Sequence, residues 1–328
     1  MSRHSIFRCI SLLAVISSLL IAAGCSEQPP PPIRVGINLW PGYEFLYLAQ
    51  EKGFYRDEGV DVRLIEFNSL SDARRAFERG QIDAMGTTVI EVLQVRDHSA
   101  RSPKIVQVVD YSNGGDVIIA RPGIKQVSDL RGTRIGVELA SLGVYVLARG
   151  LAAGGLTLKD VIPISMDQLS MEEAFGKGDL DAVVSYPPIS IKLLRDSKLN
   201  KVFSTAQIPG EVIDVIAVEE EIIAERPADV AKLLRAFQRA IEYSKQNRED
   251  AYRIMAAREG ITAEEFGSAL GGDIQMVNAA DQAAYFQTGG KLATIIDFSD
   301  HILRESGQIK GADHRAKVLN ASFVGPSK

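Results

Sequence analysis

Residues 76–84 read Ala-Phe-Glu-Arg-Gly-Gln-Ile-Asp-Ala, and residues 174–182 read Ala-Phe-Gly-Lys-Gly-Asp-Leu-Asp-Ala. Each segment is a helix end, a glycine where a helix stops, and the beginning of a strand. The first strand runs on to Thr87-Thr88 and the second reaches Ser185-Tyr186. The same unit used twice predicts two similar α/β lobes. Open α/β sheets bind ligands outside the carboxyl ends of their strands, so both polar ends are expected to face one cleft.

The rest of the chain fits that frame. Ile33, Val35 and Ile37 alternate with polar or small residues as a strand does, and Tyr43 to Lys52 reads as a helix stopped by Gly53. A strand follows at Val60 to Phe67, then a helix capped by Ser71 and running through Arg79. Further strands are predicted at Ile82–Gly86, Ile105–Val109, Val117–Ala120 and Arg134–Val137. Thr87 is expected to open a helix after the first of these, and Leu142 to Ala153 forms another. Val230, Leu233, Leu234, Phe237 and Ile241 recur at helical spacing between Pro227 and Gln246. Strands alternating with helices predict an α/β fold with mostly parallel strands.

The N-terminus reads as an export signal. Arg3 and Arg8 precede an uncharged run from Cys9 to Ala23. A bilayer span needs about 20 apolar residues, so this run suits a signal-peptide core better than a membrane helix. Ile21-Ala22-Ala23-Gly24-Cys25 resembles a bacterial lipoprotein lipobox, which implies removal of residues 1–24 and lipid attachment at Cys25. Ala22 stands where that motif usually has Leu. Ser26-Glu27-Gln28 and four prolines, Pro29 to Pro32, complete a stiff tether over residues 25–32. The expected location is the periplasmic side of a bacterial membrane. Ser26 after the cysteine favours the outer membrane in a Gram-negative host, and the inner membrane stays open.

Composition excludes several classes. The chain has 328 residues, 46% of them hydrophobic, and a net charge of −5. Nucleic acid is not an expected partner, because phosphate binding needs clustered Lys and Arg. The two cysteines are Cys9 and Cys25, so the mature domain has neither disulfide nor thiolate chemistry. His98, His301 and His314 show no metal-ligand spacing, and no nucleophile elbow or phosphate loop is found. No metal, no cofactor and no catalysis are expected, Glu138 being at most an isolated acid.

In order and spacing, several motifs together resemble the solute-binding proteins of ABC importers. The likeness is to the nitrate, sulfonate and taurine group and its thiamine-pyrimidine relatives. The motifs are Ile33-Arg34-Val35-Gly36, Trp40-Pro41-Gly42-Tyr43, Ala49-Gln50-Glu51-Lys52-Gly53-Phe54-Tyr55, Gly80-Gln81-Ile82-Asp83-Ala84 and Gly114-Gly115-Asp116. They continue with Asp129-Leu130-Arg131-Gly132, Gly178-Asp179-Leu180-Asp181-Ala182 and Tyr186-Pro187-Pro188. The resemblance implies a type II periplasmic-binding-protein fold with two α/β lobes joined by a two-strand hinge. Lobe I would comprise residues 33–114 and 211–328, lobe II residues 115–210. Its implied function is capture of a small organic solute and delivery to an ABC permease. The alternative output is docking on a membrane sensor protein. A self-consuming pyrimidine synthase branch of the family uses a cysteine-rich motif that the mature chain lacks.

Physical chemistry selects candidate ligand contacts within that frame. Helix N-termini attract anions, and Thr87, Thr88 and Ser141 add hydroxyl donors there. Trp40, the single tryptophan, could form an aromatic wall with Tyr43, Tyr111 and Tyr186. Asp110, Asp116 and Asp214 lie near the expected hinge. A buried carboxylate needs a partner. For Asp116 and Asp214 that partner could be a ligand amine or ring N–H. For Asp110 a backbone N–H or an arginine is expected. The solute class is thus a sulfonate, a zwitterion or an amino-heterocycle.

Overall fold

A computed structural model of the protein describes residues 30–313, 315 and 317–325. The expected signal segment 1–24 and the lipidation site Cys25 lie outside the described residues, as do Ser26 to Pro29 and His314. Among the described residues no helix is long and apolar enough to cross a membrane.

The chain begins with β1 (Ile33–Ile37), α1 (Glu44–Glu51), α2 (Phe54–Glu58), β2 (Val62–Glu66), α3 (Leu70–Glu78), β3 (Ala84–Thr88), α4 (Val89–His98) and β4 (Pro103–Ser112). It crosses to β5 (Val117–Ala120), β6 (Arg134–Val137), α5 (Leu142–Ala153), β7 (Ile162–Ser165), α6 (Gln168–Lys177), β8 (Ala182–Ser185), α7 (Ile189–Leu194) and β9 (Asn200–Ser204). It then returns through β10 (Ile213–Glu219), α8 (Glu220–Glu225), α9 (Pro227–Gln246), α10 (Arg248–Glu259), α11 (Ala263–Ser268), β11 (Ile274–Met276), α12 (Gln282–Phe286) and α13 (Lys291–Glu305). The first lobe holds a six-stranded sheet of order β11-β4-β10-β3-β1-β2, and the second a five-stranded sheet of order β7-β6-β8-β5-β9.

The repeated segment does the same work in both lobes. Gly80 (φ 68°) and Gly178 (φ 91°) take the left-handed conformation that ends α3 and α6. In the first lobe the Asp83 amide donates to the Arg34 carbonyl at 2.8 Å, and the Arg34 amide donates to Asp83 Oδ2 at 2.9 Å. In the second, the Asp181 amide donates to the Arg134 carbonyl at 2.9 Å, and the Arg134 amide donates to Asp181 Oδ2 at 2.8 Å. Each aspartate thereby sets its strand beside β1 or β6 in the same parallel register, Val35 opposite Ala84 and Ile135 opposite Ala182.

The expectation of mostly parallel strands requires correction. β1 runs parallel to β2 and β3, and β6 to β7 and β8. β10 is antiparallel to β3 and β4, β11 to β4, and β5 to β8 and β9. The two crossings cause this. β4 leads out of the first lobe and β10 leads back in, so as neighbours they must oppose one another. β5 and β9 do the same in the second lobe. The crossings are stitched together by Thr205, whose hydroxyl lies 2.7 Å from Ser112 Oγ and accepts the Gly114 amide at 2.8 Å. Its own amide donates to the Asp116 carbonyl at 3.0 Å.

Local boundaries differ modestly. The cap of α3 is Ser69, which accepts the Asp72 amide, two residues before the expected Ser71. α9 spans Pro227–Gln246 as expected, with Val230, Leu233, Leu234, Phe237 and Ile241 buried. Every residue of β3 and β10 is buried. A charge in such a strand is a departure that packing does not explain.

Candidate functional site

Of the two acids on β10, Glu219 at its end is paired with Arg101, and Asp214 is the departure. It lies on β10, buried, in register with Thr88 of β3 on one side and Asp110 of β4 on the other. A row of polar residues thus crosses an otherwise apolar sheet at the carboxyl end of β3. Two carboxyl groups side by side away from water cannot both ionise cheaply. Burial pushes Asp110 up to about 7 and Asp214 well above the usual carboxylate range, and the Asp110 charge raises Asp214 further. The Tyr43 hydroxyl donates to Asp214 Oδ1. The Trp40 indole N–H donates to Asp110 Oδ2 at 3.2 Å, so the partner of Asp110 is neither the backbone nor the arginine expected.

Above this row a small pocket opens between the lobes, its volume about 10 Å³, room for little more than one water molecule. Its lining combines Asn38, Trp40, Tyr43, Leu70 and Asp214 with Asp116, Leu142 and Tyr186. Asn38 and Trp40 follow the carboxyl end of β1, and Tyr186 follows that of β8. The cavity therefore sits where an open α/β sheet places its ligands. Trp40 and Tyr186 meet edge to face, with ring centroids 6.2 Å apart at 74°. Tyr186 also donates its hydroxyl to Glu138 Oε1 at 3.3 Å.

Among the described residues no basic side chain lines this cavity. Among the described residues Asp116 Oδ2 and Glu138 Oε2 have no hydrogen-bond partner, and Asn38 Oδ1 has none either. Burial raises Asp116 to about 7 and Glu138 to about 8, with the Glu91 charge adding to both. The free polar atoms around the cavity are acceptors, while the Trp40, Tyr43 and Tyr186 donors are already engaged, the reverse of an oxyanion cradle.

The hydroxyls expected to hold an anion are already engaged. Ser141, the residue before α5, donates to Glu91 Oε1 at 2.7 Å, and Thr88 donates to Glu91 Oε2 at 2.5 Å. Thr87 reaches the same oxygen at 3.5 Å. Of the residues selected from sequence, the cavity brings together Trp40, Tyr43, Asp116, Tyr186 and Asp214. Thr87, Thr88 and Ser141 cluster around Glu91 instead. Tyr111, on β4 opposite Ile213 and Gln275, is not part of the lining. Sequence reasoning missed Asn38, Leu70, Leu142 and Glu91. For Glu91 the signal was legible: Thr88-x-x-Glu91 is a capping box, with the threonine capping α4 and the glutamate accepting the Thr88 amide at 3.2 Å.

His98 contacts Arg74 and the Gln308 carbonyl, and His301 pairs with Glu305, both apart from the cavity. Among the described residues no group of three or more His, Cys, Asp or Glu side chains is placed to hold a metal ion.

Two α/β lobes, two chain crossings and a cavity at strand carboxyl ends define the class: a type II periplasmic-binding-protein fold. The chain belongs to the NMT1/THI5-like family, which it matches over residues 40–251. It is 27% identical over 303 residues to a protein of Brucella abortus (strain 2308) named as a binding protein, covering 84% of this chain and 91% of that one. It is 23% identical over 224 residues to the 4-amino-5-hydroxymethyl-2-methylpyrimidine phosphate synthase of Aspergillus parasiticus, covering 62% and 63%. The alkanesulfonate-binding protein SsuA of Xanthomonas axonopodis pv. citri, bound to MOPS, has a similar structure, with a TM-score of 0.76 at 16% identity over 88% of this chain and 98% of that one. The periplasmic nitrate-binding protein NrtA of Synechocystis PCC 6803 gives 0.72 at 14% identity over 89% and 86%. At these identities the structural likeness is one of fold.

Proposed function

We propose that this chain is an extracytoplasmic solute-binding lipoprotein. It captures a small organic solute between its lobes and delivers it to an ABC permease. The observation that carries this reading is the interlobe cavity, where Trp40, Tyr43 and Asp214 of one lobe face Tyr186 of the other across Asp116 at the crossing. A solute touching both sides binds the closed form better than the open one, and only such a difference can drive closure. The aromatic faces suit a flat ring. The unpartnered carboxyl oxygens suit N–H donors, so an amine or amino-heterocycle fits better than nitrate or a sulfonate. The lobe boundaries proposed are residues 33–114 with 211–328, and 115–210. Binding without catalysis is the reading adopted, since no cysteine follows Cys25 to act as a nucleophile.

The test is a thermal-shift screen of the full chain in detergent against sulfonates, nitrate, carboxylates, amino acids, polyamines and amino-heterocycles. A solute at about 100 times its dissociation constant stabilises by roughly 2.7 kcal/mol. Solution scattering with a hit should show the lobes drawing together, and unchanged dimensions at saturation would refute the capture mechanism. For the anchor, Cys25→Ser should abolish metabolic labelling with palmitate and release the protein from membranes.

A further inference from the structure

Glu91 is fully buried, yet it serves two helices in two lobes. Within the first lobe it closes the capping box of α4 through the Thr88 amide and hydroxyl. Its other oxygen, Oε1, reaches into the second lobe. There it accepts from Ser141 Oγ at 2.7 Å and from the Leu142 amide at 2.8 Å, at the first turn of α5. Ser141 is the N-cap residue of α5, but its side chain caps nothing within its own helix. The unpaired amides and partial positive charge of a helix N-terminus are an anion site, and here a carboxylate of the protein fills it from across the cleft.

The second observation is the state of the cavity beside it. Asp116 lines that cavity, almost wholly buried, with an Oδ2 that no donor among the described residues satisfies. Tyr186, also in the lining, directs its hydroxyl to Glu138, whose second oxygen is likewise unpartnered. A solute anion entering here would find the α5 terminus taken and would face carboxyl groups without a cation among the lining residues. A positively charged solute, or one rich in N–H groups, would satisfy the free acceptors.

Resting on the receptor reading above, we propose that Glu91 is the specificity-determining residue of this cleft. It acts as a built-in counter-anion on the α5 terminus, turns away sulfonates, nitrate and carboxylates, and leaves the cleft, once the lobes part, to a planar cationic solute. The same two hydrogen bonds join the lobes, so Glu91 also stabilises closure.

The experiment compares the full chain in detergent with Glu91→Ala and Glu91→Gln. The probes are sodium ethanesulfonate, nitrate and acetate against a chloride control of equal ionic strength, and benzamidine hydrochloride as a planar cation. Thermal shift and calorimetry are read. The wild type should ignore the three anions beyond the chloride effect. Glu91→Ala should bind at least one of them on the order of tenfold tighter than the wild type, the worth of one charge-assisted hydrogen bond to a free helix terminus. Benzamidinium should bind the wild type and lose affinity in Glu91→Ala. Glu91→Gln keeps the side-chain volume and an acceptor for the Leu142 amide, so it holds the fold if Glu91→Ala does not. It should show the same change of selectivity in weaker form.

Anion binding by the wild type equal to that of Glu91→Ala overturns the assignment. So does a folded variant that gains no anion affinity. The two readings fail separately. A wild type that no cationic or neutral solute stabilises, beside a Glu91→Ala that captures anions, counts against the receptor reading and for Glu91. A wild type stabilised by a solute, beside variants blind to anions, does the reverse.

Discussion

Trp40 and Tyr186 close the cleft as an edge-to-face pair, one ring from each lobe, with centroids 6.2 Å apart. Such a pair contributes about 1 kcal/mol beyond the area it buries. Trp40 is also the only tryptophan in the chain, so its emission reports on the surroundings of this one ring. Tyr186→Ala should red-shift that emission and raise its quenching by acrylamide, because the indole loses the ring that covers it. Tyr186→Phe keeps the ring and should leave the spectrum unchanged. If Tyr186→Ala left emission and quenching at wild-type values, the two rings would not be meeting in solution.

A glycine protects the other side of Trp40. A Cβ added at Gly42 would lie 1.9 Å from Asp110 Oδ2 and 3.0 Å from Trp40 Nε1. Both neighbours are buried, Asp110 on the interior strand β4 and Trp40 edge to face with Tyr186, so neither has free space to retreat into. Gly42→Ala should therefore break the indole–carboxyl hydrogen bond and destabilise by about 1–3 kcal/mol. It should also weaken any solute that enters the cleft. Gly176→Ala is the control. Apart from its own helix turn, no atom of the described residues lies within 4 Å of its added Cβ, and the site is within α6, so this change should stabilise by up to about 1 kcal/mol. Equal melting temperatures for Gly42→Ala and the wild type would overturn the argument.

These relationships show what could be read from sequence and what could not. Arg134–Val137, Leu142–Ala153 and Pro227–Gln246 were legible to the residue because periodicity and capping residues agree there. Asp116 and Asp214 were legible as acids in apolar surroundings, a pattern that packing alone does not produce. The antiparallel pairing of β10 was not, since strand direction depends on where a returning chain enters the sheet. Asn38 and Leu142 escaped because neither residue type signals a site, and only the meeting of the lobes brings them to one cavity. Thr88 and Ser141 were chosen for the right physical reason, an anion at a helix terminus. The anion they meet is the protein's own Glu91, which local patterning gives as a capping residue and not as an interlobe partner.

The exposed contact between the lobes should matter little by comparison. Arg195, at the end of α7, makes a two-pronged pair with Glu265 of α11, at 2.8 Å for both nitrogens. Arg195 holds the Glu265 carboxyl down at about 2, but both side chains are solvated. Exposed pairs contribute about 0–1 kcal/mol and are screened by salt. Arg195→Ala should change solute affinity by less than about fivefold, and less still at high salt. A loss as large as that of Glu91→Ala would mean that closure is driven from the rim and not from the buried cleft.

The buried carboxyl groups give the protein a pH dependence of definite sign. Burial raises Asp110 and Asp116 to about 7 and Glu138 to about 8, whereas unfolded carboxyl groups titrate near ~4. Between those limits the folded chain binds protons that the unfolded chain has released, so stability falls as pH rises. Their contribution is fully present below about pH 4 and is lost as pH climbs through about 7–8. Glu44 and Glu259, buried away from the cavity on α1 and α10, shift upward too and act in the same sense. Glu265, depressed to about 2, acts in the opposite sense but only below about pH 4. The protein without solute should thus melt higher at pH 5 than at pH 8. Asp116→Asn removes one titrating group from the cleft and should narrow that difference without reversing it. A cationic solute favours the ionised carboxylates, so its affinity should rise over the same interval. Its binding should release protons, detectable as a calorimetric enthalpy that changes with buffer ionisation heat. A melting temperature that rises from pH 5 to pH 8, or an Asp116→Asn slope identical to wild type, would show that these carboxyl groups meet water more freely than their burial implies.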